Sequence, residues 1–89
     1  MDSSDSWRSF FETWPDSIPH KGILVTVIQE TIPFVNFIIS GGLLMVERDK
    51  PDTFGSRKVI VSYSAISAVK LTSPAELSTF EVMGFQKMT

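Results

Sequence analysis

The nine residues VSYSAISAV, Val61 to Val69, decide how the rest of the chain is interpreted. They join two short runs rich in apolar and β-branched residues, one ending at Tyr63 and one beginning at Ile66, and each run predicts a strand. Because Ser64 and Ala65 alone separate the runs, the chain must bend sharply between them. Strands coupled this closely favour a small, strongly bent barrel.

Three further strands are predicted upstream of this corner. The β-branched run at 23–29 predicts the first, and the apolar run at 31–40 predicts a second that we expect to be covered on both faces. The pair Gly41 and Gly42 before the run at 43–48 predicts a tight hairpin, since glycine permits positive φ at both positions. A sharp bend within one long strand is the alternative.

A helix is predicted on each side of the strands. The N-terminal helix, at about 4–14, carries four large aromatic residues at helical spacing on one face. These residues are Trp7, Phe10, Phe11 and Trp14. We expect this face to seal the open end of the barrel; docking of a partner helix or peptide is the alternative. Ser73 and Pro74 predict the start of a short C-terminal helix, at about 74–84, which Gly84 ends.

The predicted architecture is one α+β, mainly β domain over residues 1–89, with a five-stranded, strongly bent antiparallel barrel at about 22–72. The net charge of −2 argues against a double-stranded DNA partner. With no cysteine and one histidine, we expect no metal and no cofactor. We expect no membrane partner and a cytoplasmic location, because the N-terminus lacks an export signal and the most apolar stretch is short and interrupted.

The element order resembles that of the Sm and LSm proteins, and the opening stretch adds a local match. In bacterial Sm-like RNA chaperones the second signature motif reads Tyr-Lys-His followed by Ala-Ile-Ser-x-Val, and here Tyr63 and Ser64 precede AISAV at 65–69. The resemblance covers about 7–71 and implies a homo-oligomeric ring in which the fourth strand of one copy pairs with the fifth strand of the next. The implied subunit-pairing residues are Val59, Val61, Ile66, Ala68 and Val69.

The same resemblance implies a site for single-stranded RNA. The candidate RNA-contacting residues are Ser40, Gly41, Ser62, Tyr63 and Ser64. The family places an Asp or an aromatic residue in the loop before the third strand and Arg-Gly or Lys-His at the corner, whereas this chain has glycines and hydroxyl groups there. Tyr63 could stack on a base or pack half-buried in the sheet, and the sequence leaves both alternatives open.

The basic residues and the single histidine each allow two interpretations. Four of the eight basic residues flank the loop between the third and fourth strands, namely Arg48, Lys50, Arg57 and Lys58. Acidic residues are interleaved with them, so the loop is either a soluble hairpin tip or a basic rim that ring formation would repeat. His20 and Lys21 could touch phosphate or form a solvated turn.

The function expected from these patterns is not enzymatic, since no nucleophile, base or metal cluster can be assembled from the sequence. We expect a ring-forming Sm-like module whose partners are itself and single-stranded RNA. The alternative is a structural or protein-interaction oligomer that has the barrel but no RNA site.

Overall fold

The computed structural model describes residues 3–86. In chain order its elements are the helix α1 (Ser3–Glu12), the strands β1 (Gly22–Thr26), β2 (Thr31–Phe34), β3 (Asn36–Ser40), β4 (Leu43–Glu47) and β5 (Lys58–Ser62), a 3-10 turn (Tyr63–Ala65), the strand β6 (Ile66–Lys70) and a C-terminal 3-10 helix (Leu77–Met83). The strands form two antiparallel sheets, a first sheet in the order β2-β1-β6 and a second sheet in the order β3-β4-β5. The α+β class with an N-terminal helix is therefore confirmed.

The core lies between the inner faces of the two sheets and the aromatic face of α1. Leu24 of the first sheet and Leu44 of the second are both fully buried. From α1, the ring of Phe11 lies 5.0 Å from the ring of Phe37. Beyond the helix, Trp14 is buried and its Nε1–H donates to the carbonyl of Ile18 at 3.1 Å. The helix thus packs its aromatic face on the core, as the spacing predicts.

The predicted second strand at 31–40 is wrong as a single strand, because it divides at Val35 into β2 and β3, which belong to different sheets. Inward-facing residues follow the even positions as far as Phe34 and then shift to Phe37. This slip by one residue keeps Phe37 in the core, since side chains alternate between faces along a strand. Residues 3–86 therefore form six strands in two sheets, and the predicted five-stranded, strongly bent barrel is wrong.

The expected burial of both faces of this segment is also wrong. Ile38 is 65% exposed on the outer face of β3, whereas Phe37 beside it is 8% exposed. A three-stranded sheet packed on one side leaves its other face to solvent, which is the usual state of an antiparallel sheet.

The hairpin at Gly41 and Gly42 is confirmed, and the alternative of one long bent strand there is wrong. Ser40 pairs with Leu43 in the β3–β4 register, so the two glycines alone form the connection. Gly41 has a φ of +30°, while Gly42 has no positive φ. The requirement for glycine conformational freedom therefore applies at Gly41 and not at both positions.

The C-terminal helix predicted at 74–84 is wrong in type and start. The segment forms the 3-10 helix Leu77–Met83, and Ser73 accepts the N–H of Ala75 at 3.3 Å instead of opening an α-helix. A local bond of this kind gives the backbone an alternative to helical pairing. Gly84 ends the helix with a φ of 98°, in the left-handed region that glycine favours.

Candidate functional site

The outer strands β5 and β6 leave two backbone edges open. β5 pairs with β4 and β6 pairs with β1, and within residues 3–86 no strand pairs with the other side of either. The 3-10 turn Tyr63–Ala65 connects the two strands. The N–H of Val27 donates to the carbonyl of Ala65 at 2.8 Å, which fixes this turn against the end of β1. An open edge offers N–H and C=O groups to any further strand.

The five residues predicted for subunit pairing all lie on these two strands, but not equivalently. Val59 and Val61 on β5 are half-buried, as are Ala68 and Val69 on β6. Ile66 is 2% exposed and its N–H donates to a carbonyl of the preceding turn. The side chain and N–H of Ile66 therefore serve the fold of its own chain, and the accessible part of the β6 edge lies nearer its C-terminal end.

Tyr63 lies at the corner between the two edges, and its ring is in the core. The residue is 3% exposed, and its ring lies 6.3 Å from that of Phe11 on α1. Its hydroxyl is buried without a hydrogen-bond partner among residues 3–86. Burial raises the pKa of the phenol, and the nearby Glu12 carboxylate acts in the same direction. Tyr63 therefore packs in the core, but it is fully buried in a 3-10 turn and not half-buried in the sheet.

The other four predicted RNA-contacting residues meet at one exposed end of the second sheet. Ser40 and Ser62 both stand opposite Leu43, one on each side of β4, and Gly41 follows Ser40. The hydroxyl oxygens of Ser62 and Ser64 are 3.0 Å apart, within hydrogen-bonding distance. We call Ser40, Ser62 and Ser64 the serine row. It offers donors and acceptors but no charge.

The loop between β4 and β5, which carries the predicted basic residues and is called the basic loop, is ordered by internal hydrogen bonds. The Asp52 carboxylate accepts the N–H groups of Phe54 at 2.8 Å and Ser56 at 2.9 Å. These bonds hold the pKa of Asp52 below its ordinary value. Arg48 donates its Nε–H to the carbonyl of Lys50 at 3.2 Å, so the turn also orients one of the predicted cations.

The basic loop and the serine row lie at opposite ends of the second sheet. In the β4–β5 register Glu47 pairs with Lys58 at one end, and Leu43 pairs with Ser62 at the other. The ends of β4 are about 14 Å apart at about 3.4 Å per residue. Lys58 also forms an ion pair with Glu47 at 3.6 Å. One chain therefore does not bring the basic loop and the serine row into one site.

His20 lies against the aromatic core. Its ring stacks on Phe37 at 4.7 Å with an interplanar angle of 22°, and the Trp14 ring is 5.8 Å away. Neither neighbour carries an acid or a nucleophile. Among residues 3–86 no group of three or more His, Cys, Asp or Glu side chains is placed to hold a metal ion.

An apolar groove that the sequence did not reveal runs beside β6. It has a volume of about 500 Å³. Its walls include Trp7 and Phe10 from α1, Val69 from β6, Leu71 just after β6, and Leu77 and Phe85 from the C-terminal segment. The sequence predicts the aromatic face of α1 and the apolar run of β6, but the way in which α1, β6 and the C-terminal segment meet depends on tertiary packing.

Comparisons with protein-family models, with curated proteins and with solved structures found no match to this chain. None of the helices between residues 3 and 86 has the length and apolar character needed to cross a bilayer.

Proposed function

We propose that this protein is a non-enzymatic, self-assembling module with an Sm-like strand order, in which β5 of one copy pairs with β6 of the next. The observation that carries the proposal is that β5 and β6 are both outer strands with an open edge, joined by a single turn. The β5 edge of one copy can pair with the β6 edge of the next, because each edge offers both N–H and C=O groups. Repetition of such a head-to-tail contact gives a closed ring when the rotation between copies closes.

The strand order supports the Sm-like part of the proposal. β2 and β3 run into each other through Val35, whose N–H donates to the carbonyl of Glu47 at 2.8 Å. Taken as one bent strand, they give the order β6-β1-β2/β3-β4-β5, with β5 and β6 at the two ends. Five strands in this order, preceded by a helix, resemble the arrangement of Sm and LSm proteins.

The composition of the edges supports pairing with another copy. β5 carries Val59, Ile60 and Val61 in succession, and Ile60 is 58% exposed. Proteins that remain monomeric usually protect an edge strand with charge, proline or a covering segment. The charge on β5 lies at its first residue, Lys58, and association would remove from water the β-branched apolar run that follows it.

Light scattering of the purified protein over a range of concentrations tests the proposal. We expect a mass that is a multiple of the 9.9 kDa chain. Ile60→Lys places a charge on the β5 edge and should shift the mass toward the monomer. Ile38→Lys places the same charge on the outer strand β3, at a residue that is 65% exposed, and should leave the mass unchanged. A wild-type protein that stays a monodisperse monomer at high concentration would contradict the proposal.

Binding of single-stranded RNA is the second candidate function, and the exposed serine row favours it. Ser40, Ser62 and Ser64 would be repeated around one face of a ring, where several weak contacts act together. Fluorescence polarisation with uridine-rich and adenosine-rich oligomers should show binding at low salt. The double variant Ser62→Ala, Ser64→Ala should reduce it. Lack of binding at low salt would leave the structural oligomer as the function.

A further inference from the structure

We propose that the apolar groove receives side chains of β5 from a second copy, so that the C-terminal 3-10 helix is an assembly element. This inference rests on the proposed β5–β6 pairing and extends it. Val69 lies on β6 and Leu71 follows it, and both side chains form part of the groove wall. A strand added to the open edge of β6 therefore lies directly beside the groove.

The incoming strand fits the groove on either of its faces. Val59 and Val61 point to the inner face of the second sheet, where they pack on the core of their own chain, and Ile60 points to the outer face. Successive side chains on a strand alternate between faces. Whichever face of β5 meets the groove, an apolar β-branched side chain enters it.

Edge pairing alone offers too little area for a stable contact. A five-residue strand is about 17 Å long and a sheet is about 10 Å thick, so its edge is a strip of on the order of 170 Å². Stable protein interfaces remove about 800 Å² per partner from water. The groove is an adjoining apolar surface that adds to this strip.

The C-terminal segment is held by part of its surface and leaves other apolar side chains exposed. Phe80 and Met83 pack against the core. Leu77 is 81% exposed and Phe85 is 55% exposed, and both belong to the groove wall. The ring of Phe85 lies 6.3 Å from that of Phe10 in its own chain, whereas the fold of one chain gains little from Leu77. The apolar character of Leu77 is better explained by a surface that a second copy covers.

Leu77→Glu and Val82→Glu form a matched pair of variants. Val82 is 69% exposed on the same 3-10 helix but is not part of the groove wall. Neither position is buried, so we expect both variants to fold with the circular dichroism of the wild type. Leu77→Glu should raise the dissociation constant of the assembly about tenfold or more, and Val82→Glu should leave it unchanged, as measured by light scattering across a dilution series.

The outcomes separate this inference from the proposed function. If Ile60→Lys dissociates the assembly and Leu77→Glu does not, the edges pair without the groove and the inference is wrong. Equal losses in the two glutamate variants would show a general effect of charge and would also overturn it. If Leu77→Glu leaves the mass unchanged but abolishes binding of an apolar dye, the groove is a small-molecule site. A monomeric wild-type protein would overturn both proposals.

Discussion

The two sheets share one core but differ in regularity and in what they show to solvent. The second sheet pairs in continuous register along β3, β4 and β5, whereas the first has a register shift where β1 meets β6, between Val25 and Thr26. On the outer face of the second sheet Ile38 and Ile60 are exposed. The first sheet exposes Pro33 there and leaves its apolar outer residues half-buried.

Because of this difference, we expect some substitutions to affect the stability of the fold and others to affect the assembly of copies. The first sheet holds the closest backbone approach, at Gly22, and contacts the corner turn through the end of β1. The second sheet is a regular unit with apolar side chains left over on its surface. We therefore expect the fold to be sensitive to a change at Gly22 in the first sheet, and the assembly to be sensitive to a change at Ile60 in the second.

The largest expected effect tests whether the two sheets unfold together. Leu24→Ala and Leu44→Ala remove one fully buried leucine from each sheet, and each should lower the free energy of unfolding by about 2–5 kcal/mol. Because both side chains lie in one core, urea titrations followed by circular dichroism and by tryptophan fluorescence should coincide. Two separate transitions would show that the sheets are independent. Val82→Ala, at an exposed residue outside the groove wall, is the control and should change stability by less than about 0.5 kcal/mol.

The next effect should be confined to the first sheet. A Cβ atom on Gly22 would lie 2.6 Å from the carbonyl oxygen of Lys70, a backbone atom that cannot rotate away. Gly22→Ala should therefore force β1 and β6 apart and cost about 1–3 kcal/mol of stability. Gly42→Ala is the matched control, since nothing lies within 4 Å of its Cβ position. Equal unfolding midpoints for the two variants would contradict the close approach.

A smaller effect is expected at the corner between the sheets. Tyr63→Phe removes a buried hydroxyl that has no hydrogen-bond partner among residues 3–86, so stability should stay equal or rise by about 1 kcal/mol. A loss of more than about 1 kcal/mol would show that the hydroxyl has a partner.

The burial of Tyr63 also predicts that the stability of the fold decreases at alkaline pH. Burial raises the pKa of Tyr63 in the folded state, so the folded chain keeps a proton that the unfolded chain releases above a pH of about 10. This contribution to stability is complete below that pH and is lost as the pH rises through the folded-state pKa. Between pH 8 and pH 11 the melting temperature should therefore fall more steeply with pH for the wild type than for Tyr63→Phe. Identical slopes would contradict it.

The smallest effect concerns the ion pair of the second sheet. The Lys58 ammonium and the Glu47 carboxylate are 3.6 Å apart and both side chains are about half exposed. Lys58→Ala should cost about 0.2–1 kcal/mol at low salt and less at high salt, because water and ions screen exposed charges. A double-mutant cycle with Glu47→Ala isolates the pair, and a coupling that does not change with salt would contradict its surface character.

The sequence predicted those features that depend on local rules. The helical spacing from Trp7 to Trp14, the hairpin at Gly41 and the sharp corner after Ser62 all follow from residues close together in the chain. The break at Val35 does not, because 31–40 reads as one apolar strand and the slip occurs to place Phe37 against α1. The apolar groove was missed for the same reason, since its walls come from three distant segments.

The sequence predicted which residues belong to the candidate site better than it predicted their relative positions. Sequence alone placed the serines at the hairpin before β4 and at the corner after β5, and the basic residues in the loop between these strands. The β4–β5 register puts the two sets at opposite ends of one sheet. Likewise, the choice between stacking and packing for Tyr63 depends on whether α1 covers it. That contact joins residues 11 and 63, and no local pattern reports it.

The turn Tyr63–Ala65 has a geometric consequence for any assembly made from the two edges. The three residues of the turn set the angle between β5 and β6. In the proposed assembly, β5 pairs with one neighbouring copy and β6 with the other. In a closed ring that angle fixes the rotation from copy to copy, and hence the number of copies. Inserting one residue into the turn should leave both strands intact and change the symmetry of the particle.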